Sequence, residues 1–321
     1  MKVVVVGLGS MGKRRIRLLK QNYPYMNIVG VDSNEKRCDE AKRLYKIMVF
    51  QNLDEVCGQP DIIGAFVCTS PETHSEIILK FIKKNINVFT EINLSDNGYE
   101  QIIKANNVKV FLSSTFLYRK DIKEIIKKVD NKKANYIYHT GQYLPDWHPW
   151  ENYKDYFVNK KETNGCREIL AIELPWIIKC FGEIINVNVM KNTLTNLKLD
   201  YSDNYMIQVQ HKNGSIGMIS VDVVSRSATR RLEIYNEEMQ LRWDGSPESL
   251  QLYDCDKGQF YFVDTYDNVE RDSKYNKNIV ENAYGDEIKS FFKYIQDDNY
   301  VVEYDYKSDK VVQEIITNIE G

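Results

Sequence analysis

The sequence predicts an α/β protein in two parts: a doubly wound parallel sheet over residues 1–118, and over residues 119–321 an α/β domain built on a large, mainly antiparallel open sheet. Three observations predict it. Residues 2–12, KVVVVGLGSMG, run an apolar strand straight into a Gly-x-Gly-x-x-Gly turn. Strand and helix patterns then alternate to about residue 118, as they must where helices cover both faces of a parallel sheet. Beyond Arg119 the pattern changes to runs of alternating residues, several separated by turn signals such as Asn213-Gly214 and Asp244-Gly245.

Taken in order, residues 3–6 are all Val, which suits a strand buried on both faces. At the turn, Gly7 allows the tight bend, Gly9 lets a pyrophosphate approach the backbone, and Gly12 lets the following helix pack close. That helix, residues 13–21, would point free N–H groups near Ser10 and Met11, and the positive end of its dipole, at phosphate. A turn that uses glycines only for sterics is the plainer alternative. Against it stands the second strand, 27–31, which ends on Asp32, twenty residues past Gly12, where an acid hydrogen-bonds an adenosine ribose. Asp32 favours NAD over NADP, since it would repel a 2′-phosphate; Arg37 is the counterweight, able to receive one. A helix over 35–45, a strand over 48–50, and a strand over 62–68 come next, the last running into Thr69-Ser70-Pro71. A helix over 73–84 and a strand over 88–90 ending at Glu91 complete the alternation. Ligands of such sheets lie at the loops after the carboxyl ends of the strands. In the second part, strands are expected at 135–139, 185–190, 205–210, 216–223 and 231–235, and helices at 168–181, 286–296 and 308–319.

Composition narrows the function classes. A chain of 321 residues exceeds one usual domain, and its net charge of −3 has Lys and Arg dispersed among acids. Neither nucleic acid nor an anionic membrane is therefore the expected main partner. The six cysteines, at 38, 57, 68, 166, 180 and 255, form no Cys-x-x-Cys pair and no ligand spacing with the four histidines. They read as reduced thiols of a cytoplasmic protein with no metal site. The apolar start is too short for a secretory signal, and no apolar run approaches membrane-spanning length.

Residues 69–93, TSPETHSEIILKFIKKNINVFTEIN, resemble the Gfo/Idh/MocA oxidoreductases, whose pattern is Thr-x-Pro-x-x-x-His, a helix, then a strand ending in Glu-Lys-Pro. Thr69, Pro71 and Glu91 match, and His74 falls one residue early. Tyr118-Arg119 is similar to the segment opening that family's second domain, and Asp286-Glu287-Ile288-x-x-Phe291-Phe292 to its C-terminal part. The resemblance implies a Rossmann NAD(P)-binding domain joined to an α/β domain whose open sheet often makes the oligomer interface, hence a homodimer or homotetramer. It implies hydride transfer between the nicotinamide and a sugar or sugar derivative, nucleotide sugars included, and it extends the cofactor set to Thr69, Ser70, Pro71, His74, Glu91 and Asn93. For His74 the expected role is orienting the loop or helix beside the dinucleotide rather than chemistry.

The departures are as informative. The family's Lys in Glu-Lys-Pro commonly relays the substrate proton, but here the tripeptide is Glu91-Ile92-Asn93, and an isoleucine carries no proton. The family's Gly-Gly turn and helix bearing Asp and, four residues on, His corresponds to NGCREILAIELP, residues 164–175. The acid position holds Glu168 or Ile169, and the His position Ile172 or Glu173, so the His is absent. A base must come from elsewhere, and Glu173, Glu168 and His148 are the candidates. Either Glu would serve if apolar neighbours raise its pKa; the plainer alternative is that one merely pairs Arg167 or faces water. His148 lies in GQYLPDWHPWENY, residues 141–153, whose Tyr143, Trp147 and Trp150 could stack on sugar C–H faces, or simply pack into a satellite core. Tyr118, Arg119 and Arg167 complete the expected substrate set. Two other functions stay open: an enzyme that keeps NAD bound for a net non-redox reaction on a carbohydrate, and a dinucleotide-binding protein without turnover.

Overall fold

The computed structural model describes residues 1–147, 152–272 and 278–321. The chain forms two compact units, residues 1–115 with 284–311 and residues 116–283 with 312–321. The first boundary lies within three residues of the expected 118. The return of 284–311 to the first unit differs from a continuous second domain over 119–321.

The first unit opens with β1 (Lys2–Val6), α1 (Ser10–Asn22), β2 (Asn27–Val31), α2 (Glu35–Tyr45), β3 (Met48–Phe50) and the short α3 (Asp54–Cys57). It continues with β4 (Ile62–Val67), α4 (His74–Lys83), β5 (Asn87–Thr90), α5 (Tyr99–Lys104) and β6 (Val110–Leu112). The six strands pair in parallel in the order β3-β2-β1-β4-β5-β6. Order reverses beside β1, so the carboxyl ends of β1 and β4 flank the crevice where such sheets bind ligands. Val3, Val4 and Val5 are fully buried, as a central parallel strand requires.

The second unit holds α6 (Lys120–Val129), β7 (Asn135–Gly141), α7 (Gly165–Phe181), β8 (Ile184–Asn192), β9 (Asn204–His211) and β10 (Ile216–Asp222). Then follow β11 (Thr229–Tyr235), β12 (Gln240–Trp243), β13 (Gln251–Asp254) and β14 (Gln259–Phe262). These eight strands form one sheet in the order β14-β13-β12-β11-β7-β10-β9-β8. All neighbours are antiparallel except β7 and β10, which run parallel because α7 carries the chain back between them. Helix α7 begins three residues before the expected start, since Asn164 Oδ1 accepts the Arg167 amide at 2.7 Å and caps it.

The chain ends with α8 (Glu281–Gln296) and α9 (Tyr306–Glu320). Helix α8 explains the return to the first unit. Its Phe291 ring lies 3.1 Å from where a Cβ on Gly64 of β4 would stand, and packs edge-on against Phe66, Phe89 and Phe111. Covering that sheet face with a fully buried Phe contributes roughly 1.5–3 kcal/mol. All six cysteines are free, and five are buried.

Candidate functional site

The glycine turn is built for an anion. Gly7 has φ +89°, and a Cβ there would sit 2.7 Å from the Cys68 carbonyl. At Gly12 a Cβ would come within 1.8 Å of the Gly7 oxygen, so α1 reaches the strand only because both are glycine. Gly9 is different: among the described residues, its chain neighbours aside, only Arg37 lies within 4 Å of its Cβ position, so a side chain there would fill space that a phosphate can use. The first turn of α1, at Ser10 and Met11, has no capping side chain and no acid. That leaves backbone N–H groups and a positive helix end for a pyrophosphate.

Asp32 follows β2 and is mostly buried. Its Oδ2 accepts the Leu8 amide at 2.7 Å, its Oδ1 the Asn34 amide at 2.8 Å, and Arg37 Nη1 stands 3.9 Å away. The carboxylate is thus oriented by the turn itself, with lone pairs left for ribose hydroxyls. Across β1, Thr69, Ser70 and Pro71 form the loop after β4. Pro71 opens a 3₁₀ turn, and the Thr73 hydroxyl donates to the Ser70 carbonyl at 2.9 Å with the Thr69 hydroxyl 2.8 Å away. His74 is buried behind that loop, with Nε2 3.0 Å from the Thr69 carbonyl and Nδ1 2.8 Å from Asn93 Oδ1. Burial pulls its pKa below the usual imidazole value, against those bonds.

Glu91 has another occupation. Arg15, fully buried on α1, donates Nε to Glu91 Oε1 at 2.6 Å and Nη2 to Oε2 at 3.0 Å. The same Nη2 donates to Glu287 of α8 at 2.7 Å. Glu287 also takes the Ser113 hydroxyl and the Ser114 amide, and its pKa is raised by burial. Ile92, where the resemblance places a lysine, is half-buried and carries no titratable atom.

In the second unit, the two candidate carboxylates on α7 differ sharply. Glu173 is buried and filled: Oε2 accepts from Tyr138 Oη at 2.8 Å and Trp176 Nε1 at 2.7 Å, and Oε1 from Arg230 Nε at 2.9 Å. Glu168 is partly exposed as a residue, but its Oε2 has no accessible surface and, among the described residues, no hydrogen-bond partner. Burial alone pushes its carboxyl up to about 7. Arg167 pairs with Glu320 and donates to Gln313 on α9. Arg119 is buried and engaged, donating to Asp121 and to the carbonyls of Asn278 and Gly245. Tyr118 is buried beneath Lys123. In the loop after β7, Arg226 stacks on Tyr143 at 4.0 Å, and Trp147 Nε1 donates to the Gln142 carbonyl at 2.9 Å. His148 and Trp150 lie outside the described residues.

A further cluster had no sequence signal. His139 on β7 meets Asp222, at the end of β10, through Nε2 at 2.7 Å, and Ser225 Oγ stands 3.5 Å from the same nitrogen. Burial of Asp222 is outweighed by bonds from His139, Ser225 and Val224, which hold its pKa below the usual range. Acid and hydroxyl share one nitrogen, so the arrangement is no Ser-His-Asp relay. Only the parallel pairing of strands some eighty residues apart brings it together. Among the described residues, no group of three or more His, Cys, Asp or Glu is placed to hold a metal, and no helix is long and apolar enough to cross a membrane.

Residues 1–97 match the Gfo/Idh/MocA oxidoreductase family, described as having an NAD-binding Rossmann fold. A myo-inositol 2-dehydrogenase of Thermotoga maritima is 27% identical over 138 residues, a stretch spanning 41% of each chain. Over 99% of its length the chain is similar in fold to a levoglucosan dehydrogenase solved with NADH, at TM-score 0.81 and 16% identity, covering 95% of that chain. A myo-inositol dehydrogenase of Corynebacterium glutamicum is similar over 99% of this chain and 94% of its own, at TM-score 0.78 and 15% identity. At such identities the likeness speaks for the fold alone, a six-stranded parallel sheet followed by a large, mostly antiparallel second sheet.

Proposed function

Because residues 1–97 carry the NAD-binding Rossmann fold of the Gfo/Idh/MocA oxidoreductases, we propose that this chain is an NAD-dependent dehydrogenase acting on a CH–OH group of a sugar-like or polyol substrate. Gly9, Ser10 and Met11 would hold the pyrophosphate, Asp32 the adenosine ribose, and Thr69, Ser70 and Pro71 the flank of the dinucleotide. Bound NAD supplies the hydride acceptor, or in reverse the donor. What the chain itself must supply is a base for the hydroxyl proton.

Glu168 carries this reading. Its carboxyl is pushed up to about 7, and among the described residues no donor reaches its buried Oε2, so near neutral pH both of its protonation states are within reach. Glu173 is the poorer candidate, because Arg230, Tyr138 and Trp176 already occupy its oxygens. Arg167 and Arg119 are spent on internal partners and serve as framework. Trp147 remains as a face for a sugar ring, Arg226 already covering one face of Tyr143, and His148 and Trp150 belong to the same stretch of sequence.

The relatives' names, inositol and levoglucosan dehydrogenases, suggest the first substrates to try, with nucleotide sugars beside them. The test is NADH formation with such a panel, followed by the same assay on Glu168→Gln. Turnover lost by roughly two to four orders of magnitude with NAD affinity kept supports the reading. Tight NAD binding with no turnover on any polyol would favour the non-enzymatic alternative, which the apolar Ile92 already fits. The chain is further proposed to act as a homodimer or homotetramer in the cytoplasm.

A further inference from the structure

Behind the Thr69 loop runs a chain of hydrogen bonds whose direction is set from one end. There the Asp309 carboxylate, 3% exposed in the first-unit part of α9, accepts from the Tyr99 hydroxyl and, at 2.7 Å, from the Tyr304 hydroxyl. Burial, with Asp309 adding to it, pushes both phenols well up, so both keep their protons and stand as donors. A hydroxyl that donates to Asp309 offers Asn93 only its lone pairs, and Asn93 Nδ2 donates to it at 2.9 Å. The remaining amide oxygen, Asn93 Oδ1, is therefore the atom that faces His74 Nδ1 at 2.8 Å, and Nδ1 must carry a proton. Nε2 faces the Thr69 carbonyl at 3.0 Å, a second pure acceptor. A neutral imidazole has one N–H, so both contacts are hydrogen bonds only when His74 holds two protons.

We propose that Asp309, Tyr99 and Asn93 are positioning residues that dictate the tautomer of His74, and that a second proton on Nε2 latches the Thr69 loop where it meets the dinucleotide. The proposal rests on the reading that this loop flanks bound NAD. Glu91 after β5 is the titratable group that acts on His74 directly; Tyr99 on α5 and Tyr306 on α9 lie behind Asn93, and Asp309 on α9 behind Tyr99. Glu91 favours the charged ring, while burial opposes it more strongly and keeps the transition below the usual value of 6.5. Bound NAD holds the loop in place and so raises the proton affinity of Nε2. NAD binding then takes up a proton from solvent, and affinity strengthens as pH falls into that region.

Asp309→Asn tests the relay, because an amide can donate to Tyr99 and still accept from Tyr304. Tyr99 then turns its proton to Asn93, the Asn93 amide reverses, and a neutral ring with its proton on Nε2 satisfies Thr69 unaided. Calorimetric titration of the full chain with NAD, in buffers of different ionisation enthalpy near pH 6, should show proton uptake by the wild type and almost none by the variant. The wild-type Kd should rise with pH from about 5.5 to 8, with a limiting slope of about tenfold per unit, and the variant's should stay nearly flat. Equal uptake or equal slopes in the two proteins overturn the proposal. Should the variant not fold, ¹⁵N shifts of histidine-labelled wild type decide, with His74 assigned through His74→Gln. Protonation of Nε2 on adding NAD supports the latch, and a neutral ring already protonated on Nε2 overturns it. Failure of the wild type to bind NAD at any pH would instead overturn the dinucleotide reading, and the latch with it.

Discussion

Glu168 and Glu173 stand on one helix five residues apart, and the motif they share in sequence cannot rank them. Their partners can: Tyr138 and Arg230 reach Glu173 from strands 35 and 57 residues away, and among the described residues no donor reaches Glu168 Oε2. Tertiary pairing of that kind leaves no periodicity to read. A carboxyl at about 7 in the native state, against 4.5 in the free side chain, is protonated when folded and ionised when unfolded across that window. Stability therefore falls as pH rises from about 4.5 to 7, by up to about 3 kcal/mol. Glu168→Gln should remove most of that cost. The variant is expected to melt higher than wild type at pH 8 while losing turnover, and scanning calorimetry beside the NADH assay reads both. In the oxidation direction, kcat/KM should climb through about pH 7 as Glu168 deprotonates, and a flat profile there would exclude it as the base.

At the scale of elements, the β1–α1–β2 start was legible because its chemistry is local: strand, glycines and Asp32 lie within 32 residues. Asp32 is oriented by the Leu8 and Asn34 amides, with Arg37 at 3.9 Å, so the turn between β2 and α2 should select NAD. Titration with both cofactors should show NAD binding more tightly, and Asp32→Ala should weaken NAD and narrow the gap. Tighter NADP binding by the wild type would contradict this. The α8 segment was legible as a helix, yet its role was not, because Glu287 meets Arg15 across 272 residues. There one guanidinium serves two carboxylates without access to water. Arg15→Met would leave Glu91 and Glu287 as buried neighbours with no cation, at a cost of about 3–5 kcal/mol in chemical denaturation. A loss below about 1 kcal/mol would mean that the cluster is not held as charges.

For the molecule as a whole, the order of the two sheets followed from the switch in periodicity near residue 118, whereas the return of residues 284–311 to the first unit did not. Helix periodicity says which face is apolar, not which sheet it covers. The same limit governs the second sheet. One face is sealed by α7 over Tyr136, Tyr138, Ile207 and Ile219; the other carries Met190, Met206, Met218 and Ile137, each about half exposed or more. Met218 is paired directly with Ile137 across β10 and β7, and Met190 with Met206 across β8 and β9, so these side chains form neighbouring rows rather than scattered singles. Contiguous apolar rows of this kind are unusual on a monomer, and each such side chain gains roughly 1.5–3 kcal/mol when fully covered. A second copy can cover them symmetrically, since a two-fold axis brings the same patch to itself. Light scattering at micromolar concentration is therefore expected to give at least twice the 37.7 kDa chain mass. Met218→Lys, which sets a charge in the middle of the face without touching the buried side, should shift the mass to that of one chain while leaving NAD affinity unchanged. A wild type that runs as a monomer, or a Met218→Lys variant that keeps the oligomer, would rule out this face as the interface.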